Sequence, residues 1–183
     1  AAVEDAVASY RWLLERGWRG EQIVVVGDSA GGGLAMALTM YIRDHDMPIP
    51  GGIVAMSPWT DVTASGESYT TNYESDPLFG KTKDSLIYVN DYAGEHDPMD
   101  CYISPLFGDF RQFPPMLIQV GSIEMLLSDS VDAAAKARHQ GVRVRLSVYE
   151  GMFHVFQMGY LNIPESKKAW YEVGKFFDAI DRE

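Results

Sequence analysis

Ile23-Val24-Val25-Val26-Gly27-Asp28-Ser29-Ala30-Gly31 is the stretch on which the fold turns. Its four β-branched residues form a short apolar run of the kind that suits a parallel strand buried on both faces. The five residues that follow spell Gly-x-Ser-x-Gly, and residues 34–43, rich in Leu, Ala and Met, read as a helix. Strand, pentapeptide and helix together predict that Ser29 sits on a sharp, strained strand-to-helix turn with its hydroxyl exposed as a nucleophile. Side chains at Gly27 and Gly31 are expected to collide with the neighbouring strand and helix. The helix would aim its unpaired N–H groups and the positive end of its dipole at Ser29, with the Ala30 N–H placed to stabilise an oxyanion. The pentapeptide alone is weak, arising by chance in roughly one chain in ten or twenty of this length; the strand before it and the helix after it supply the specificity. The rival reading is a glycine-rich phosphate-binding turn. It lacks the Gly-Lys-Ser/Thr ending of a P-loop and the Gly-x-Gly-x-x-Gly spacing of a dinucleotide site.

Outward from this stretch, the pattern alternates. Val3, Val7, Tyr10 and Leu14 share one helical face, and Gly17 provides a stop. Ile53-Val54-Ala55-Met56 and Met116-Leu117-Ile118-Gln119-Val120 read as two more buried strands, with a helix from Asp129 to Gln140 ended by Gly141. In the fourth strand, Val142, Val144, Leu146 and Val148 alternate with Arg143, Arg145, Ser147 and Tyr149, which predicts one buried face at or near a sheet edge. A last helix presents Trp170, Val173, Phe177 and Ile180 on one face, with Pro164 near its start. Strands alternating with helices imply a mostly parallel sheet covered on both faces, an α/β architecture. Trp59 to Phe113 interrupts the alternation and reads as a long lid or binding segment containing a short helix around Asp84–Tyr92.

With 183 residues, 46% hydrophobic and 22% charged, the chain suits one globular domain. A net charge of -11 argues against nucleic acid as a partner. No apolar run is long enough to span a membrane. The single Cys101 forms no internal disulfide and agrees with a cytoplasmic location. The sequence opens on Ala1 without an initiator Met, so an original N-terminus is expected to have been lost.

A serine nucleophile needs a base. His45 falls at a helix end, His96 in a polar segment, and His139 in a last helical turn; all three read as solvated or capping residues. His154 lies just past the carboxyl end of the last strand, where open parallel sheets place their ligand crevice. The base needs an acid to fix its tautomer. Glu124 is the first acid after the third strand. Asp129 is the alternative, although it and Asp132 suit the first turn of a helix.

These residues resemble the bacterial hormone-sensitive-lipase-like family of esterases. The resemblance covers nearly the whole chain and rests on Gly27-Asp28-Ser29-Ala30-Gly31-Gly32, Ser57-Pro58-Trp59-Thr60-Asp61, Asp76-Pro77-Leu78, Ser104-Pro105-Leu106 and Gly151-Met152-Phe153-His154. The helix from Ala1 to Leu14 agrees with it. The family's Asp-Pro-Leu-Arg-Asp stretch corresponds to Glu124-Met125-Leu126-Leu127-Ser128-Asp129, which puts Glu124 on the catalytic acid.

The resemblance implies an α/β-hydrolase fold with core halves at residues 1–60 and 105–183 and a partial cap insertion at 61–104. It also implies hydrolysis of short-chain acyl esters by a Ser29–His154–Glu124 triad, without metal or organic cofactor. The family's upstream His-Gly-Gly-Gly loop, which completes the oxyanion hole, has no match in this sequence, nor do the first strands of the sheet. A molecule beginning at Ala1 is therefore expected to have a truncated sheet, weak or no activity, and a tendency to aggregate through the exposed flank of its first strand. A non-catalytic binding protein on the same fold is the alternative from another class, and amides or carbamates are alternative substrates. Pairing of two copies through the last strand and last helix is the expected quaternary contact.

Overall fold

The computed structural model describes residues 1–81 and 91–181. Helix α1 (Ala2–Glu15) leads to β1 (Val24–Asp28), α2 (Ala30–Asp44) and β2 (Gly52–Met56). A short α3 (Ser68–Thr71) lies in the long segment that follows; β3 (Met116–Gly121), α4 (Leu127–His139), β4 (Val144–Tyr149) and α5 (Pro164–Ile180) complete the order. All but the last two residues of the expected short helix Asp84–Tyr92 lie outside the described residues.

Among the described residues the strands form one parallel sheet in the order β1-β2-β3-β4, with Val26 opposite Val54, Val54 opposite Leu117, and Leu117 opposite Arg145. Successive side chains alternate between faces, so the register assigns each residue to a layer. Ile53, Ala55, Met116 and Ile118 meet Met36 and Met40 of α2 and Ala133, Ala134 and Ala137 of α4 in the main core. Val54, Met56 and Leu117 face the other way, onto Val173 and Phe176 of α5. Each large aliphatic side chain fully buried in these layers contributes about 1.5–3 kcal/mol. Helix α1 packs Val7 and Tyr10 against Leu38 and Ile42 of α2.

Three expectations are corrected. Among the described residues β1 is not covered on both faces: Val26 is 49% exposed, with β1 at the end of the described strand order and α5 the helix that packs on that side of the sheet. In β4, Val144 and Leu146 pack on the core but Val148 is exposed, while the face expected to be open is covered by α5. The alternation records a polar layer rather than solvent. Buried Glu172 of α5 accepts hydrogen bonds from Ser147 Oγ (2.6 Å), Tyr149 OH (3.0 Å) and Gln119 Nε2 (2.9 Å), and pairs with Arg145. Finally, α2 begins at Ala30, well before residue 34; its Gly31-Gly32-Gly33 start has low helix propensity and hid the first turn.

Candidate active site

Ser29 follows β1 directly and caps α2 with φ 53° and ψ -124°, a backbone region costly for any residue with a side chain. Four main-chain hydrogen bonds hold it there. Its N–H donates to the Met56 carbonyl (2.9 Å), and its carbonyl accepts from Gly32 (3.0 Å), Gly33 (3.3 Å) and Trp59 (2.9 Å). The glycine argument holds at only one of its two positions. A Cβ on Gly27 would lie 2.1 Å from the Gly31 carbonyl oxygen, but a Cβ on Gly31 would meet nothing within 4 Å among the described residues. The tight contacts instead fall on Gly32, against Pro58, and on Gly33, whose Cβ would be 2.0 Å from the Trp59 carbonyl oxygen. The Ala30 N–H opens α2 as its first residue, where no intrahelical acceptor exists.

His154 lies in the turn after β4, is 6% exposed, and places Nε2 2.9 Å from Ser29 Oγ. Its Nδ1 is 2.8 Å from Glu124 Oε2. Glu124 is fully buried beyond the end of β3, and its second oxygen accepts from Ser57 Oγ (2.8 Å) and the Gly121 N–H (2.6 Å). With Glu124 Oε2 as the acceptor, Nδ1 carries the ring proton and Nε2 presents its lone pair to the Ser29 hydroxyl. The Phe79 ring lies edge-on to the imidazole at 4.8 Å.

The other histidines stay apart. His45 and His139 are exposed at the C-terminal ends of α2 and α4, where His45 Nδ1 lies 2.9 Å from the Tyr41 carbonyl, and His96 is exposed in the long segment. Asp129 is in the first turn of α4 as expected, and the carboxylate that meets His154 Nδ1 is that of Glu124, not of Asp129. Asp129 is buried, and its carboxylate receives the N–H groups of Thr60 (2.7 Å) and Asp61 (2.9 Å). Burial pushes its carboxyl up to about 7, although these hydrogen bonds pull the other way.

Ser57 contacts the candidate site, a placement the sequence reading did not give it. It is fully buried, has φ 46°, and its Oγ also accepts the Val155 N–H (3.1 Å), so it ties the acid to the histidine turn. The available signal was positional: Ser57 follows β2 as Ser29 follows β1, and Asp28 pairs with Met56. Beside the nucleophile, Ala30, Gly31, Gly33, Leu34, Ala37, Trp59, Val62 and Ile103 help line a mostly apolar cavity of about 180 Å³. No helix among the described residues is long and apolar enough to cross a membrane.

A family model described as alpha/beta hydrolase fold matches residues 1–158. An acetyl-hydrolase of Streptomyces hygroscopicus is 39% identical over 176 residues, covering 96% of this chain and 58% of the relative. An esterase of Acinetobacter venetianus is 34% identical, covering 98% of this chain and 59% of its own length. Among solved structures, an esterase from the bacterial hormone-sensitive lipase family superposes with a TM-score of 0.90 at 42% identity, over 95% of this chain and 58% of that one. The chain thus spans a little under three fifths of the length of these relatives.

Proposed function

The chain belongs to the alpha/beta hydrolase fold family, grouping there with hormone-sensitive-lipase-type esterases, and from that premise we propose that it carries the catalytic residues of a carboxylic ester hydrolase acting on short-chain acyl esters. The observation that carries this reading is the unbroken line from Ser29 Oγ through His154 to Glu124. His154 Nε2 takes the hydroxyl proton as Ser29 Oγ attacks the ester carbonyl. Glu124 Oε2 holds the imidazolium that forms, and the Ala30 N–H receives the oxyanion; one such donor is worth about 2.7–4 kcal/mol in the transition state. His154 then protonates the departing alcohol. Water attacks the acyl-Ser29 ester through the same base, releasing the carboxylic acid and restoring the serine.

The small volume of the apolar cavity, about 180 Å³, supports a short acyl chain. Residues 61–104, which contribute Val62, Tyr92, Tyr102 and Ile103 to its wall, act as a cap. Ser29→Ala in the intact protein is expected to lower hydrolysis of p-nitrophenyl acetate or butyrate by about 10⁴-fold or more and to abolish labelling by a fluorophosphonate. Undiminished turnover would exclude the mechanism. A folded wild-type protein that took up no label would be a binding protein instead.

A second copy of the chain is proposed to pair along the open edge of β4 and the neighbouring face of α5, where Val148, Tyr171 and Phe177 are exposed. Elution of the intact protein as a monomer at micromolar concentration would refute this contact.

A further inference from the structure

The acid loop is held from two sides, by the turn after β4 and by the segment between β2 and β3. Between the end of β3 at Gly121 and the start of α4 at Leu127, the main chain turns through Ser122, Ile123, Glu124, Met125 and Leu126, where no ladder continues. The Ser122 and Ile123 N–H groups donate to the Tyr149 (2.9 Å) and Met152 (3.2 Å) carbonyls, and the loop's own carbonyls are met by side chains from the segment between β2 and β3. Asn72 Nδ2 donates to the carbonyls of Ser122 (3.1 Å) and Glu124 (2.8 Å). Ser75 Oγ reaches the Ile123 carbonyl at 3.2 Å, and Ser68 Oγ the Met125 carbonyl at 2.5 Å.

Asp76 stands apart in this group because it faces two ways. Its carboxylate is 2% exposed. One oxygen accepts the Met125 N–H at 2.7 Å, the peptide immediately after Glu124. The other accepts the N–H groups of Leu78 (2.8 Å) and Phe79 (3.0 Å), closing the turn that sets the Phe79 ring against His154. A buried carboxylate with three main-chain donors and no cation among those contacts is expensive to bury unless every bond is made. We propose that Asp76 is a positioning residue for the triad: its carboxylate locks the main chain beside Glu124 to the turn that holds Phe79 on His154. The proposal rests on the esterase reading above and assigns the cap segment a second task, that of scaffold for the acid.

Asp76→Asn is the informative change. The amide keeps one acceptor oxygen but turns an N–H₂ toward either Met125 N–H or the Leu78 and Phe79 N–H groups, setting donor against donor. In the intact protein, kcat for a p-nitrophenyl ester is expected to fall by on the order of 10²-fold, because displacing a catalytic group by about 1 Å costs that much. KM should move by less than about threefold, since the acyl cavity is not touched. Repeating the change in a Glu124→Gln background separates positioning from general damage. If Asp76 acts through Glu124, its removal there should cost less than about threefold.

A folded Asp76→Asn protein with wild-type kcat, or an equal loss in both backgrounds, overturns the proposal. Should Asp76→Asn fail to fold, Asn72→Ser taken through the same cycle carries the same expectation and the same refutation. The esterase reading fails separately, if Ser29→Ala or Glu124→Gln alone leaves turnover intact.

Discussion

Methyl groups added at Gly27 and at Gly31 should have opposite consequences, although both glycines belong to the same pentapeptide. Gly27→Ala drives a Cβ to 2.1 Å from a main-chain oxygen that cannot step aside, so a loss of about 3 kcal/mol or more in denaturant unfolding is expected. Gly31→Ala enters a space free of neighbours among the described residues, on the wall of the apolar cavity beside Ser29. It should leave stability within about 1 kcal/mol, or raise it, while lowering kcat/KM for butyrate more than for acetate. The sequence alone could not separate the two, because the need for glycine is decided by what lies across the gap. Asp129 offers a residue-scale test by pH. Its folded carboxyl is held up to about 7 by burial, above its ordinary value, so between about pH 4 and 7 the unfolded chain gives up a proton that the folded one keeps. Stability from this group is complete below that window and drains away as pH rises through it. Asp129→Asn, which retains an acceptor for Thr60 and Asp61, should gain on wild type from pH 4 to 7 by on the order of a few kcal/mol in chemical denaturation. Constant spacing between the two curves would contradict the assignment.

Strands and helices were legible wherever one periodicity governed them, and ambiguous where two causes give the same pattern. The alternation in β4 is a case of the second kind: Ser147 and Tyr149 look like solvent-facing residues but meet Glu172 beneath α5. Burial alone would raise the Glu172 carboxyl, but hydrogen bonds from Ser147, Gln119 and Tyr149, with the nearby Arg145 charge, bring it below its ordinary value. A depressed carboxyl stabilises the fold above the unfolded value and loses that contribution as pH falls through the folded one. Glu172→Gln is thus expected to cost about 1–3 kcal/mol at neutral pH, and the gap should close as the solution is acidified below the usual carboxylate range. Thermal melts of both proteins from pH 7 to pH 3 would test it. The same ambiguity hid Ser57, Asn72 and Asp76. Each is a short polar residue in an irregular segment, a description that fits solvated loop residues equally well; what makes them supports is the approach of a segment tens of residues away. Ser29, His154 and Glu124 could be picked out because chain order and strand ends constrain where such groups stand.

On the scale of the molecule, β1, β2 and β3 run parallel and in fixed register, so the residues just beyond their ends arrive on the same side of the sheet: Ser29 after β1, Ser57 after β2 and Glu124 three residues past β3. The fold class, the order of the four strands and the three residues that converge at the candidate site could be read from the chain in advance. The link between the segment after β2 and the Glu124 loop could not, since it joins residues 68–79 to 122–128 through side chains whose partners no local pattern reveals. That parallel arrangement also makes the protein unequally tolerant of changes in its length. One residue inserted between Leu117 and Ile118 would turn every later side chain of β3 to the opposite layer, carrying Gln119 into the aliphatic core and Val120 against Glu172. Two residues inserted in the exposed run 94–99 would lengthen a surface connection and cost less than about 1 kcal/mol. Insertions and deletions in kindred genes should accordingly gather in that run and spare the strands, and a scan of short insertions scored by soluble yield would trace the same boundary.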